Sequence, residues 1–586
     1  MSAHTPSSAR LTPSPTESSA CPPSPTADSG IPRRTFLGGT GLMVAAGAAG
    51  AAFGSSALPG TTPHASAAVG GGKIRSKPNI VLIITDQERR PQHWPEGWGR
   101  DHLPHRQRLI DSGLSFNFAS CNTAMCSPSR SSLFTGMYPS QHGVTRTLTA
   151  DGALSPDEPT LKPSTPNMAS LLASAGYDVH YRGKWHISKG KDGGDPTTAD
   201  LESFGFKGWV PPEAGQDIKP ENFAGGYANH DQRYADEAVA FVNSVDPNSD
   251  TPFALVASFA NPHDILAYPN SWDDPSPDKL NNYEADAPEC FQMGIDLPPT
   301  FNEVLALNHK PRAQTQLNVA SNVGLGPLRS EEEARNYCNL YAFMQQEVDA
   351  HIGAVIDAIE KKGLREETII IHIADHGEMG MSHGGMRQKA FNAYEETLLV
   401  PMVISNPRLF SQGKTTDAMS TLIDLMPTLA TIADVPADAL TNYDFKGKDL
   451  SPIIEDAATS TGAPTVEVQD VIHFTFDDWS VGQPDSQDTI TQPNHLRTIR
   501  ERGRKLSMYY DPDWVEPPVF EMYDLVADPL ELNNLAAPSA PFKFRADMLA
   551  EMLPRLIEVM AEKGTTPAGM PETLPLPSSS LGSVGS

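Results

Sequence analysis

The hydrophobic positions of this chain gather into short, dense runs that end on polar residues. "NIVLIITD" (Asn79–Asp86) is apolar and β-branched along most of its length and stops at an acid. Apolar residues at both odd and even positions predict a strand covered on both faces, as in the middle of a parallel sheet. "FALVASFANPHD" (Phe253–Asp264) and "ETIIIHIADHGE" (Glu367–Glu378) repeat that pattern. "NMASLLASAGYDVHYRGKWH" (Asn167–His186) reads as a helix stopped at Gly176 and followed by a strand. Tyr337–Gly363 and Thr421–Val435 carry a helical period. Strands alternating with helices predict an α/β fold, a large, mostly parallel central sheet sandwiched by helices. In such sheets ligands sit beyond the carboxyl ends of the strands. The polar tips of the runs would therefore converge there: Asp86, Lys184 with His186, Asn261 with His263, and Asp375 with His376.

Beyond residue 455 the pattern changes. "VIHFTFDD", "HLRTIRERGRKLSMYYD" and "VFEMYDL" predict short antiparallel strands, closed by a helix near Arg545–Lys563. The start of the chain is different again. Residues 1–32 are rich in Ser, Pro and Thr, a composition of disordered segments. "RRTFLGG" (Arg33–Gly39), a weakly apolar Ala/Gly run and "HASAA" (His64–Ala68) then make a twin-arginine export signal with a small-residue cleavage site. That run is too short and Gly-rich for a membrane anchor. The expected organisation is a signal region over 1–68, a catalytic α/β domain over 75–455, a C-terminal α+β subdomain with a short antiparallel sheet over 456–565, and a disordered tail over 566–586. Export by the twin-arginine pathway implies a periplasmic or extracellular protein that folds before it leaves.

Charge narrows the partners. The chain has 586 residues and a net charge of −28, with no Lys/Arg run, which argues against nucleic acid. An anionic substrate would need a local basic pocket against that field. The five cysteines, Cys21, Cys121, Cys126, Cys290 and Cys338, show neither metal-type pairing nor a disulfide framework. Cys121 could pair with Cys290 or Cys338 after export, but free buried thiols are expected at all three, because a protein exported folded folds in a reducing compartment.

Cys126 stands apart because of its neighbours. In "AMCSPSRSSLFTG" it is followed at fixed offsets by Pro128, Arg130 and Thr135-Gly136. This segment resembles the signature of type I sulfatases of the alkaline-phosphatase superfamily. The resemblance extends from "NIVLIITDQ" to "EMYDLVADPLELNNLA". It implies that a formylglycine-generating enzyme oxidises Cys126 to formylglycine. One hydroxyl of the hydrated aldehyde would attack sulfur to form a covalent sulfate ester, and the other would expel sulfate. A divalent metal would activate that hydroxyl and neutralise the sulfate oxygens. Its ligands would be Asp86, Gln87, residue 126, Asp375 and His376. Oxygen donors with one imidazole suit Ca²⁺, with Mg²⁺ or Mn²⁺ as alternatives.

The resemblance also assigns the basic groups. Arg130 would steady the formylglycine and the metal oxygens. Lys184 would hold a sulfate oxygen, and His186 would hold the formylglycine hydroxyl. His263 and Lys389 would face the ester side and assist the leaving oxygen. His383 is read as supporting, and Asn261, His142 and Trp185 as packing. Many family members carry Asp-Asp and Asp-Asn where this chain has Asp86-Gln87 and Asp375-His376, a variant similar to that of phosphonate monoester hydrolases and choline sulfatases. The expected activity is hydrolysis of sulfate monoesters, small or glycan-borne. A phosphonate monoester or phosphodiester hydrolase, or a choline-sulfatase-like specificity, stands as the alternative. A non-catalytic glycan-binding scaffold is disfavoured, because the whole set from Cys126 to Lys389 is present.

Overall fold

The computed structural model describes residues 76–574, apart from 91, 149–157, 191–192, 212–229, 270–287, 482–488, 538–539 and 541. The export signal expected over residues 1–68 and Cys21 lie outside the described residues. The described residues form one compact unit. No helix among the described residues is long and apolar enough to cross a membrane.

Seven strands form the main sheet: β1 (Asn79–Asp86), β2 (Gly113–Ser120), β3 (Asp178–Gly183), β4 (Phe253–Pro262), β5 (Thr368–Ala374), β6 (Met402–Ser405) and β7 (Lys414–Thr421). Their order is β3-β4-β1-β5-β6-β2-β7. β3, β4, β1 and β5 run parallel, β6 is antiparallel to both its neighbours, and β2 and β7 pair in parallel. The sheet is thus mostly parallel, as the periodicity predicts.

Alternation along β1 explains why both faces must be covered. Ile80, Leu82 and Ile84 enter one core with Leu171, Leu172, Leu425 and Leu429. Val81 and Ile83 enter the opposite core with Val242, Val348, Ile352 and Ile356. Each such side chain contributes roughly 1.5–3 kcal/mol on burial. The helices that supply these layers include α1 (Cys126–Thr135), α2 (Met168–Ser174), α3 (His230–Ser244), α4 (Arg312–Gly324), α5 (Glu331–Lys361) and α6 (Leu425–Ile432). At the start of α5, Ser330 accepts the Glu333 N–H, and three glutamates fill the first turn against the helix dipole.

A second, four-stranded antiparallel sheet contains β8 (Val471–Phe476), β9 (His495–Glu501), β10 (Arg504–Tyr510) and β11 (Val519–Asp524) in the order β11-β10-β9-β8. Helix α7 (Phe542–Lys563) covers it through Met552, Leu556, Val559 and Met560. Residues 566–574, assigned to a tail from sequence, instead stay on this layer. Leu574 is buried in its core, and Trp514 Nε1 donates to the Ala568 carbonyl. The small sheet meets the main domain where Thr475 N donates to the Asn122 carbonyl, four residues before Cys126.

Candidate active site

Strand register builds the acidic half of the site. Thr85 pairs with Ala374 across the β1–β5 ladder, so Asp86 and Asp375 leave neighbouring strand ends side by side. On the other side of β1 the ladder slips between Ile84 and Asp86, where Asp86 faces Pro262, and that irregularity turns His263 past the strand end. Asp231, in the first turn of α3, braces this turn by accepting the Ala260 and Asn261 N–H groups at 2.7 and 2.9 Å. Gly183 closes β3 at φ 95°, and a Cβ there would lie 1.9 Å from the Ser258 carbonyl oxygen. Only glycine lets the chain pass this close and deliver Lys184 to the site.

Cys126 is the first residue of α1, where the helix presents its positive end. The residue before it, Met125, has φ 71°. Gln87, His186 and Gln388 also adopt positive φ, at 64°, 55° and 69°. Non-glycine residues cost about 1–3 kcal/mol in such conformations, and such strain clusters at functional sites.

The Cys126 sulfur lies 3.3 Å from His376 Nε2, 3.7 Å from Asp86 Oδ1 and 3.9 Å from Lys184 Nζ. Ligand atoms of Asp86, Cys126, Asp375 and His376 all fall within 4.8 Å of one another, and all four residues are buried. Arg130 braces the two acids. Its Nη2 lies 2.9 Å from Asp86 and its Nε 2.8 Å from Asp375, while Nη1 donates to the Lys184 carbonyl and Ser258 Oγ. With all three nitrogens engaged, Arg130 orients the carboxylates. Lys184 Nζ sits 2.8 Å from Asp86 Oδ2.

The charges respond to one another. Burial pushes the Asp86 carboxyl up, but Lys184, His263 and Arg130 outweigh it and hold Asp86 well below the usual range. Burial and the neighbouring Asp86 charge push Asp375 up. Two close acids driven apart in this way, with an imidazole beside them, are a donor set that suits a divalent cation. Burial and the nearby Lys389 ammonium depress His376, which favours the neutral imidazole that a metal needs. Burial and Lys184 likewise hold His263 well below its usual range, and its Nε2 has no hydrogen-bond partner among the described residues.

Two expected residues are placed differently from their neighbours. Gln87 uses its side-chain amide elsewhere: Nε2 donates to Glu378 at 2.6 Å and Oε1 accepts from Lys389 at 2.5 Å. Its backbone N–H, however, donates to Asp375 Oδ1 at 3.1 Å. His186 hydrogen-bonds through Nε2 to the Leu148 carbonyl at 2.8 Å, and the Leu148 N–H donates to Ser127 Oγ, beside Cys126. A carbonyl only accepts, so Nε2 carries the proton. His383 stacks on Tyr394 with ring centroids 3.7 Å apart and binds Glu303 at 2.6 Å, facing a buried ionic cluster. His142 bonds Ser132 Oγ and Trp185 bonds Ser188 Oγ, both as packing residues. Cys121, Cys290 and Cys338 are free and buried. Glu378 and Asp231 escaped the sequence reading. The signal for Glu378 was its place two residues after His376; Asp231, far from the motifs, carried none.

The comparisons agree with this geometry. The family model described as Sulfatase matches residues 78–435, and the model for the C-terminal part of N-sulphoglucosamine sulphohydrolase matches residues 383–558. An ulvan-active sulfatase of Formosa agariphila is 26% identical over 469 residues, covering 78% of this chain and 77% of the relative. Human arylsulfatase A is 28% identical over 397 residues, covering 65% of this chain and 68% of the relative. Among solved structures, a 2-O GAG sulfatase superposes with a TM-score of 0.59 at 21% identity, over 83% of this chain and 93% of that one. The phosphonate monoester hydrolase of Agrobacterium radiobacter gives 0.59 at 20% identity, over 83% and 96%. With most of its main domain matched by the family model, the chain belongs to the sulfatase family, the type I sulfuric ester hydrolases of the alkaline-phosphatase-like superfamily.

Proposed function

We propose that this enzyme is exported and hydrolyses sulfate monoesters of saccharides, using a formylglycine made from Cys126 and a divalent cation. The observation that carries the reading is the position of Cys126: its sulfur sits among Asp86, Asp375, His376 and Lys184 at a helix N-terminus, where an attacking oxygen would need to be. A saccharide substrate is supported by relatives named as an ulvan-active sulfatase and an N-acetylglucosamine-6-O-sulfatase.

Asp86, Asp375 and His376 would hold the cation, for which Ca²⁺ is the first choice and Mg²⁺ or Mn²⁺ the alternatives. A formylglycine hydrate beside such a cation supplies one hydroxyl to attack sulfur and a second whose deprotonation releases sulfate. Around it, Arg130 keeps both acids aimed inward. Lys184 neutralises a sulfate oxygen. His186 orients the loop that carries Ser127. His263, neutral and with Nε2 unengaged, would offer the departing ester oxygen a hydrogen bond, and Lys389, as an ammonium, would give it a proton. The formylglycine-generating enzyme and the twin-arginine machinery are the protein partners this reading requires.

A second reading, a phosphonate monoester hydrolase, is favoured by the Asp375-His376 pair beside Gln87 and by the fold neighbour of that activity. Turnover of 4-nitrophenyl sulfate and 4-nitrophenyl phenylphosphonate by one preparation decides between them. The sulfate ester is expected to have the higher kcat/KM. The reverse ranking gives the site to phosphonates.

A further inference from the structure

Lys389 holds its place through the side chains of Gln87 and Glu378, which are spent on one another and on Lys389's surroundings. Its Nζ donates to Gln87 Oε1 at 2.5 Å, and Gln87 Nε2 donates to Glu378 Oε2 at 2.6 Å. Glu378 is fully buried. Its other oxygen receives the Tyr337 hydroxyl at 2.7 Å, the Gly380 N–H at 2.9 Å and the Gln388 N–H at 3.0 Å. Four donors around one carboxyl leave it only the role of acceptor. It therefore dictates which end of the Gln87 amide turns toward it. The NH₂ faces Glu378 and the carbonyl faces Lys389. The flipped amide would set NH₂ against an ammonium and oxygen against a carboxylate, replacing two hydrogen bonds with two repulsions.

The same acid reaches Lys389 by a second route. Gln388, the residue before it, is held at φ 69° with its N–H on Glu378. Both the backbone and the ammonium of Lys389 thus refer back to one buried carboxylate. Given the sulfate-ester reading above, we infer that Glu378 is a positioning residue: it locks the Gln87 amide so that Lys389 stays poised to donate a proton to the leaving oxygen. In this chain Gln87 is the neutral link between an acid and a base.

The consequence is a dependence on the leaving group. A nitrophenolate departs readily without a proton, whereas a phenolate gains more from one. For formylglycine-bearing Glu378→Gln, kcat/KM should fall about a hundredfold on phenyl sulfate and less than about tenfold on 4-nitrophenyl sulfate. Lys389→Ala should reproduce that selectivity, and the double variant should be no worse than either single one, as expected for residues acting through one link. A crystal structure of Glu378→Gln should show the Gln87 amide turned and Lys389 Nζ out of hydrogen-bond reach. If Glu378→Gln does not fold, Gln87→Met cuts the same link and should show the same selectivity with unchanged metal content. Equal losses on the two esters, or additive losses in the double variant, overturn the inference while the sulfatase reading stands. A wild-type enzyme inert on both esters and on sulfated saccharides instead overturns the reading itself, and the inference falls with it.

Discussion

Two of the buried ionic clusters among the described residues are made of similar groups, yet one of the two is built for chemistry. At the junction with the small sheet, Lys505 sits 2.8 Å from Glu395 and 2.8 Å from Glu531, and Arg500 sits 2.9 Å from Glu395. Tyr509 and Tyr523 both donate to Glu521 at 2.6 Å. Burial pushes Glu395 up, but Lys505 and Arg500 bring it down to about 2. Here donors face acceptors and cations face anions. At the ends of β1 and β5, Arg130 and Lys184 also pair with acids, but acceptors face acceptors as well: ligand atoms of Asp86, Asp375, His376 and Cys126 lie within 4.8 Å of one another. His263 Nε2 adds a buried polar atom without a partner among the described residues. Four non-glycine residues at or beside the site are held at positive φ. The ingredients are alike, so burial and charge alone do not mark an active site. Convergent like-natured atoms do, whereas positive φ alone does not, since Glu531 of the other cluster also sits at φ 51°.

Substitutions in the two clusters should therefore fail differently. The largest effect belongs to Cys126→Ala, which should cut turnover of a sulfate ester at least about a thousandfold while leaving the circular dichroism spectrum and thermal midpoint nearly unchanged. His263→Ala should lower kcat/KM about a hundredfold without unfolding the chain, read by steady-state kinetics. Lys505→Met should reverse that profile. Leaving Glu531 buried without its cation costs about 3–5 kcal/mol in a denaturant titration, with a smaller effect on turnover than His263→Ala.

The mildest contrast is in pH. Burial lowers the pKa of His383, but Glu303 and Glu396 raise it to about 9. A group whose folded pKa lies above its unfolded one stabilises the fold at low pH and loses that contribution as pH rises through the folded value. Stability should thus decline between about pH 6.5 and 9, by up to about 3 kcal/mol. His383→Gln should be less stable at pH 6 and show a flatter profile. Equal slopes in the two proteins would exclude His383 as the source.

How much was legible follows from how each residue signals itself. β1, β4 and β5 carry continuous apolar runs because both faces are covered, and their polar tips gave Asp86, His263, Asp375 and His376. The long helix α5 and the small sheet were likewise readable from periodicity. β7, "KTTDAMST", has no apolar run to announce it, and β6 is only four residues long. Their antiparallel and outer placements came from the structure alone. Gln87 illustrates the limit at the site. Its neighbour Asp86 suggested a ligand, yet the side-chain amide is spent on Glu378 and Lys389, a relation between residues 87, 378 and 389 that no local pattern carries.

The chemistry of residue 126 can be read directly. Protein produced with a formylglycine-generating enzyme and digested with trypsin yields a peptide ending at Arg130. The account predicts a mass in which the cysteine sulfur has been replaced by oxygen with loss of two hydrogens, in step with sulfatase activity. A plain thiol at Cys126 in fully active protein would contradict it.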